Sequence, residues 1–446
     1  MPSRAVVLLV FAAGFSGALP AQSDTARQCR APTAKLLGAQ TTFIGQSLLP
    51  FSAAYSGPMS LRSSGDHQLS QSYGLYAGAC IVSNLAAYLD AEMIHGSGIS
   101  RASGLAAVTN GDVLRQGSVD LGTGPYVARA FIRWTIPLRS VDLDTVTRGV
   151  DELPGVLSAR RVEITAGRFA ATDIFDLNRY ANSTRTQFLD WVLFNDGAWD
   201  YAADTRGYSN GIALAWITPA VSLRAGSFQM PTFANGNQFD NDIANARGDN
   251  VEVTLAAPHD AVIRVLAYEN HARMGDYDLA TAIGHATGTR PDVAATDSPG
   301  RTKFGGALNG ELPLADDGQT GIFARVGWND GRHESFAFTE VDRHLGAGGQ
   351  VSGRRWHRPG DAFAIAGVID GISAPHRNYL AAGGNGFLLG DGALQYGHES
   401  IVESYYVFAV GKYVAISPDV IVIDHPGYNR SRGPATVLST RVNAHW

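Results

Sequence analysis

From Tyr73 onward the chain runs in short segments whose apolar and polar residues alternate, the period-2 pattern of half-buried β-strands. YGLYAGACIV and LAAYLDAEM are separated by Ser83-Asn84, which reads as a tight turn. Further strand-like runs are YVARAFIRWTIPL, VEITAGRF, GIALAWIT, VSLRAGSF, VEVTLAA, AVIRVLAYEN and FGGALNGELPL. They continue through GIFARVGWND, SFAFTEVD, AFAIAGVI, SIVESYYVFAVGKYVAI, DVIVID and VLSTRVNAHW. In GIFARVGWN one face is Ile322, Ala324, Val326 and Trp328, and the other is Arg325, Gly327 and Asn329. In the last run Leu438, Thr440, Val442, Ala444 and Trp446 oppose Ser439, Arg441, Asn443 and His445.

A soluble sandwich alternates in the same way, so alternation alone does not choose between architectures. Two features favour a membrane barrel. The segments are about 9–12 residues long, the span of a tilted membrane strand. The chain also ends on an aromatic, Trp446, that closes an alternating strand. An open sheet in lipid would leave unsatisfied edges, which closure removes. The expected fold is all-β: a transmembrane antiparallel β-barrel of roughly 14 to 16 strands. About 16 fits best, because that width leaves an aqueous lumen.

Composition narrows the picture. Only 17% of the residues are charged, and the formal net charge is −6 with no Lys/Arg run, which argues against nucleic acid as a partner. Arg4 followed by the apolar stretch Ala5 to Leu19 and Pro20-Ala21 reads as a secretory signal cleaved after Ala21. The expected organisation is 1–21 signal peptide, 22–70 irregular N-terminal arm, and 71–446 barrel. Two cysteines, Cys29 and Cys80, are too few for a zinc site; in an oxidising compartment they pair, or Cys80 stays a buried thiol.

One stretch breaks the strand rhythm. Asp173 to Tyr208, DIFDLNRYANSTRTQFLDWVLFNDGAWDYAADTRGY, interleaves carboxylates with Arg179, Arg185 and Arg206 and with Tyr180, Phe188, Trp191, Trp199, Tyr201 and Tyr208. Aromatic faces cover the C–H groups of sugars while amides, carboxylates and guanidinium forks bond their hydroxyls. An ordinary long loop packed by its own aromatics has the same composition.

The chain resembles the carbohydrate-selective porins of Gram-negative outer membranes. The resemblance covers YSGP (Tyr55 to Pro58), GLYAGA (Gly74 to Ala79) and Ser97 to Phe131. It is most specific at FDLNRYAN (Phe175 to Asn182), RTQF (Arg185 to Phe188) and WDYAADTRGY (Trp199 to Tyr208). It resumes at Ala324 to Arg343, Gly371 to Gly392 and Pro426 to Pro434. A terminal Trp in place of Phe, and the cysteine pair, depart from the family. The resemblance implies a passive channel for mono- and small oligosaccharides in the outer-membrane lipid. It implies no cofactor and leaves a homo-oligomer open; the histidines show no H-E-x-x-H and no Cys partners at zinc spacing, so no metal and no catalytic residue is expected.

In line with the family, part of Asp173–Asp204 is expected on an inward-folded constriction loop. Asn178, Arg179, Asn182 and Arg185 are candidates for hydroxyl contacts, Trp199 and Tyr201 for stacking, and Asp204 and Arg206 for the same pore lining. Arg325 and Asn329, with Arg441 and Asn443, would line the wall. Each Asp and Arg in the loop has a competing role, pairing internally to stiffen it. Trp199 could equally plug the gap between loop and wall, and Trp216, Trp328 and Trp446 suit interfacial girdles.

Other motifs are weak. Gly207-Tyr208-Ser209-Asn210-Gly211 matches G-x-S-x-G, but a strand follows it where the nucleophile elbow needs a helix. The Asp173/Asp176 and Glu399/Glu403 pairs would suit a glycoside hydrolase only if space brought them together. The alternative to a channel is therefore a secreted all-β carbohydrate-active enzyme or sugar-binding protein, whose apolar faces would point inward.

Overall fold

The structure, a computed structural model, describes Cys29, residues 35–113, 121–149 and 151–446; the expected signal peptide lies outside them. In chain order the strands are β1 (Lys35–Leu48), β2 (Asp66–Val82), β3 (Leu85–Gly96), β4 (Tyr126–Pro137), β5 (Leu143–Val146) and β6 (Gly155–Ser158). Then come β7 (Arg161–Phe169), β8 (Ser209–Ile217), β9 (Val221–Gln229), β10 (Arg247–Ala256), β11 (Val262–Met274) and β12 (Ser298–Ala315). The last are β13 (Thr320–Asn329), β14 (Arg343–Ser352), β15 (Ala362–Gly371), β16 (Glu399–Val410), β17 (Val414–Asp424) and β18 (Ala435–His445).

All but β5 and β6 form a closed barrel of 16 antiparallel strands, each paired with its neighbour in sequence. β1 closes the ring against β18, with Phe43 opposite Val442 and Ile44 opposite Arg441. β5 and β6 make a separate hairpin within the β4–β7 connection.

The period-2 pattern decides which side of each strand meets lipid. On β13, Ile322, Val326 and Trp328 are exposed on the outer surface, whereas Phe323, Arg325 and Asn329 are buried inside. β18 repeats this, with Leu438 outside and Ser439, Arg441 and Asn443 inside. Trp134, Trp216 and Trp446 stand outside near one end and Trp328 near the other, as interfacial aromatics do. Apolar side chains outside and charged ones inside invert the soluble arrangement, so the reading as a secreted protein is not favoured.

The two ends differ. At one end the connections are short, such as 83–84, 218–220, 316–319 and 411–413, except for 138–160 with its hairpin. At the other they are long. The connections 275–297 and 372–398 carry the helices α2 (Tyr277–Thr287) and α3 (Ala374–Ala381), which meet where Tyr277 stacks on His376, ring centroids 4.3 Å apart.

Two expectations are corrected. Residues 22–70 are not an irregular arm throughout, because 35–48 are the first barrel strand and β2 already begins at Asp66. Its inner face carries Leu36, Ile44 and Leu48, covered by loops folded into the lumen, and this blurs the polar-inside pattern. SFAFTEVD is no strand either; it lies in the 330–342 connection, where Phe336 and Phe338 pack against the constriction loop. Cys29 and Cys80 form a disulfide that ties Cys29 to the end of β2, beside Leu153 of the 138–160 connection.

Candidate functional site: the constriction

Between β7 and β8, residues 170–208 fold into the lumen. Most of the loop's carboxylates are used on backbone N–H groups that no regular ladder satisfies. Asp190 accepts from Val192 N at the start of the short helix α1 (Trp191–Phe194). Asp196 accepts from Ala198 N, and Asp204 from Arg206 N and Tyr208 N. Asp200 receives the three successive N–H groups of Phe336, Ala337 and Phe338, with Lys303 Nζ at 3.3 Å.

Inward wall residues hold the loop against the side of the barrel from β10 to β18. Arg325 donates to the carbonyls of Leu193, Asp176 and Ala181 and lies 3.2 Å from the Asp176 carboxylate. Arg441 donates to Thr184 O and Gln187 O. Glu403 accepts from Leu189 N and Asp190 N, Glu252 from Asp176 N, and Asn329 Nδ2 donates to Ala198 O. Gly327 is required here, since a Cβ would overlap the Asp196 carboxylate.

With the loop on that side, the free lumen lies toward β1–β4 and β7 as a cavity of about 520 Å³. A second inward loop narrows it from the β3–β4 connection: Gln46 Nε2 donates to Thr109 O and Asn110 Nδ2 to Ser70. Three ion-pair groups line the remaining passage. Arg185 Nε bonds Asp112 at 2.7 Å while its Nη1 reaches Glu92 at 2.8 Å and Tyr76 Oη at 2.9 Å. Arg129 grips Asp173 through Nε and Nη2, at 2.8 and 2.7 Å, with Asp90 3.6 Å away. Arg168 bonds Asp204 at 2.6 Å.

Burial pushes the Asp112 carboxyl up, opposed by Arg185 and by the Ser72 hydroxyl that donates to it. Burial also works against the charge on Arg185, but Asp112 and Glu92 outweigh it and hold the guanidinium firmly protonated. Burial raises Asp196, a carboxylate of the loop itself, to about 6. Aromatic faces of Trp191, Phe194, Tyr201 and Phe338 lie on the same cavity, Trp191 stacked on Phe338 at 5.6 Å.

Of the sequence candidates, Asn182, Arg185, Tyr201, Asp204 and Arg206 lie on the cavity wall. Five do not. Arg325, only 1% exposed, and Asn329 face inward, but the loop covers them; Arg325 donates to loop carbonyls and Asn329 to Ala198 O of the loop and to Val341 O. Trp199 is fully buried between loop and wall, its Nε1 donating to Asn250, so it is the plug and not the stacking surface. Asn178 is spent on Asn309 and Tyr180 N. Arg179 is 44% exposed but sits beside the 316–319 turn and Glu311, away from the cavity. Arg441 is likewise buried under the loop, and Asn443 bonds Thr42.

Sequence reasoning missed Glu92, Arg129 and Tyr126, because ordinary strands carry them, and Asp112, because a second loop does. Trp191 was visible within the same stretch as Trp199; only packing tells them apart. Ser209 of the G-x-S-x-G match lies at the start of β8 and donates to Gln229 O.

A closed barrel with charged residues inside and a loop narrowing the lumen is the architecture of a diffusion channel. The profile described as "Carbohydrate-selective porin, OprB family" matches residues 59–446. The chain belongs to this family. Its fold is similar to that of OprB from Pseudomonas putida in its high-pH structure: TM-score 0.65, 14% identity, 93% of this chain and 94% of that one covered. It is also similar to the outer membrane channel DcaP of Acinetobacter baumannii, with TM-score 0.50, 8% identity and coverage of 95% and 100%. OmpF of Salmonella typhi, in complex with daunomycin, gives TM-score 0.50, 10% identity and coverage of 92% and 97%. No curated protein sequence matches the chain. As a member of the carbohydrate-selective porins, the protein is a sugar-selective channel of the Gram-negative outer membrane.

Proposed function

We propose that mono- and small oligosaccharides cross this porin by passive diffusion and are held weakly in the constriction by Asn182, Arg185, Tyr201 and Trp191. The observation that carries this reading is the cavity of about 520 Å³. It combines aromatic faces with bonded Arg, Asp and Glu side chains, and it is narrowed by a loop fixed through ion pairs. A sugar leaving bulk water needs replacement donors and acceptors, while release requires that no single contact be strong. Side chains already engaged with one another meet both conditions, because their remaining bonding capacity is small and distributed. Arg185 Nη2, which makes no hydrogen bond among the described residues, suits a sugar hydroxyl. Export through a signal peptide spanning 1–21 belongs to the same reading.

The test is single-channel conductance of detergent-purified protein in a planar bilayer, titrated with glucose and maltose. Stable current steps that sugar reduces in a saturable way support a sugar site in the constriction. Stable steps without any sugar effect would remove the site and leave an unselective pore.

A further inference from the structure

The cations on the cavity wall are not equivalent. Arg129 and Arg185 are each fastened to carboxylates, and so is Arg168 beside them. Arg206 is the exception: among the described residues its guanidinium makes no ion pair and no hydrogen bond. Its carbon lies 4.4 Å from the centre of the Tyr126 ring. That stacking fixes one face of the guanidinium plane, and Nε is buried without a partner. The terminal nitrogens remain as a two-pronged donor on the cavity wall.

The nearby acids do not satisfy it. Glu92 already accepts from Arg185, Tyr126 and Tyr208. Asp204 accepts from Arg168 and from the backbone of Arg206 and Tyr208, and its carboxylate makes no bond to the Arg206 side chain. Tyr126 begins β4, and Arg206 lies three residues before β8, so both stand toward the end with the long connections. A solute arriving from that end meets a cation with no ion pair among the described residues, stacked on Tyr126 and presenting a fork.

From this we propose that Arg206 is a specificity-determining residue that recognises a carboxylate, so the channel favours acidic sugars of the hexuronate or aldonate class over neutral hexoses. A planar guanidinium edge matches a carboxylate with two parallel N–H···O bonds, which a hydroxyl cannot reproduce. The pair forms in a water-filled lumen, so its contribution is that of a partly exposed ion pair. This proposal rests on the reading of the constriction as a sugar site.

The experiment compares block of single-channel current by sodium glucuronate and by glucose at one ionic strength, in the full-length protein and in Arg206→Gln. The expected half-blocking concentration of glucuronate is about fivefold below that of glucose in the unmodified channel, the size of an exposed ion pair. In Arg206→Gln the two sugars become equal while glucose block is retained. Arg206→Lys, which keeps the charge without the fork, retains part of the preference. Glucose block without any glucuronate preference in the unmodified channel would overturn the carboxylate site and leave the neutral-sugar reading standing. A preference that persists in Arg206→Gln would overturn the assignment to this residue. Absence of block by either sugar would overturn both readings. Where Arg206→Gln fails to fold, Arg206→Lys tests the assignment, an undiminished preference overturning it, and absence of a preference in the unmodified channel still overturns the carboxylate site.

Discussion

The two sides of the lumen use the same residue types for opposite purposes. Against β10–β18, arginine, aspartate, asparagine and tryptophan are sealed beneath the loop: Arg325 on Asp176, Arg441 on loop carbonyls, Trp199 on Asn250. Against β1–β4, Arg185, Arg129 and Arg206 stand on an open cavity with carboxylates and tyrosines between them. Solvent access separates the two. A buried charge with a fixed partner acts as a fastener, since removing one member strands the other in a dry site. A charge at the water boundary keeps bonding capacity to exchange with a solute.

The largest effect that would break this comparison is expected at Arg325. Arg325→Ala leaves Asp176 buried without its cation and three loop carbonyls without a donor, a loss of about 3–5 kcal/mol. Thermal unfolding in detergent, followed by electrophoretic mobility, should show the loss. Single-channel current should rise several-fold as the loop leaves the wall; a variant with unchanged conductance would show that the loop is held by something else.

The two tryptophans sharpen the contrast. Trp199→Ala should cost about 3–5 kcal/mol of stability, the range for emptying a buried aromatic site. Trp191→Ala should cost much less and instead weaken sugar block, since Trp191 faces the cavity. Thermal midpoints and sugar titrations on both variants check the assignment, and exchanged phenotypes would reverse it.

Smaller again is the arginine pair in the loop. Arg185→Ala should raise the half-blocking sugar concentration about tenfold, if one charge-assisted hydrogen bond of about 1.5 kcal/mol is lost. Arg179→Ala should leave block within about twofold, the scale of an exposed ion pair, because its side chain lies away from the cavity. Equal effects from both would mean that the solute path runs beneath the loop as well.

The smallest effect concerns the long connections outside the membrane. His376 Nδ1 lies 3.1 Å from Asp342, and its Nε2 is 3.7 Å from Glu340. Burial opposes the imidazolium, yet these two carboxylates raise it from 6.5 to about 9. Burial would likewise raise Asp342, but His376 holds it down at about 2. The contribution of His376 is therefore complete below about pH 6.5 and is lost as pH climbs through 9. That of Asp342 is present above its ordinary value and is lost as pH falls through 2. Proteolysis of the 372–398 connection should accelerate between pH 7 and 9 while the barrel persists, and His376→Gln should remove that dependence.

Much of the fold was legible because a strand in lipid has one degree of freedom, its period. The faces of GIFARVGWN and of the terminal strand, read from alternation, are the faces that point to lipid and lumen. Where the rule failed, on β1 and on SFAFTEVD, the lumen side is covered by protein, and apolar residues are then stable inside. The candidate site was half legible. The stretch from Asp173 to Tyr208 is the constriction, but composition could not sort Trp191 from Trp199 or Arg185 from Arg179.

The sequence by itself determined the barrel, its approximate strand number, its family and the segment that narrows it, because these depend on periodicity and on local motif. The tertiary structure alone decided which side of the lumen the loop closes. With that it decided which arginines are fasteners and which face a solute. It also decided that Cys29 meets Cys80. Those outcomes depend on which of many chemically equivalent partners comes within about 3 Å, a distance set by pairings across the whole ring and not by neighbours along the chain.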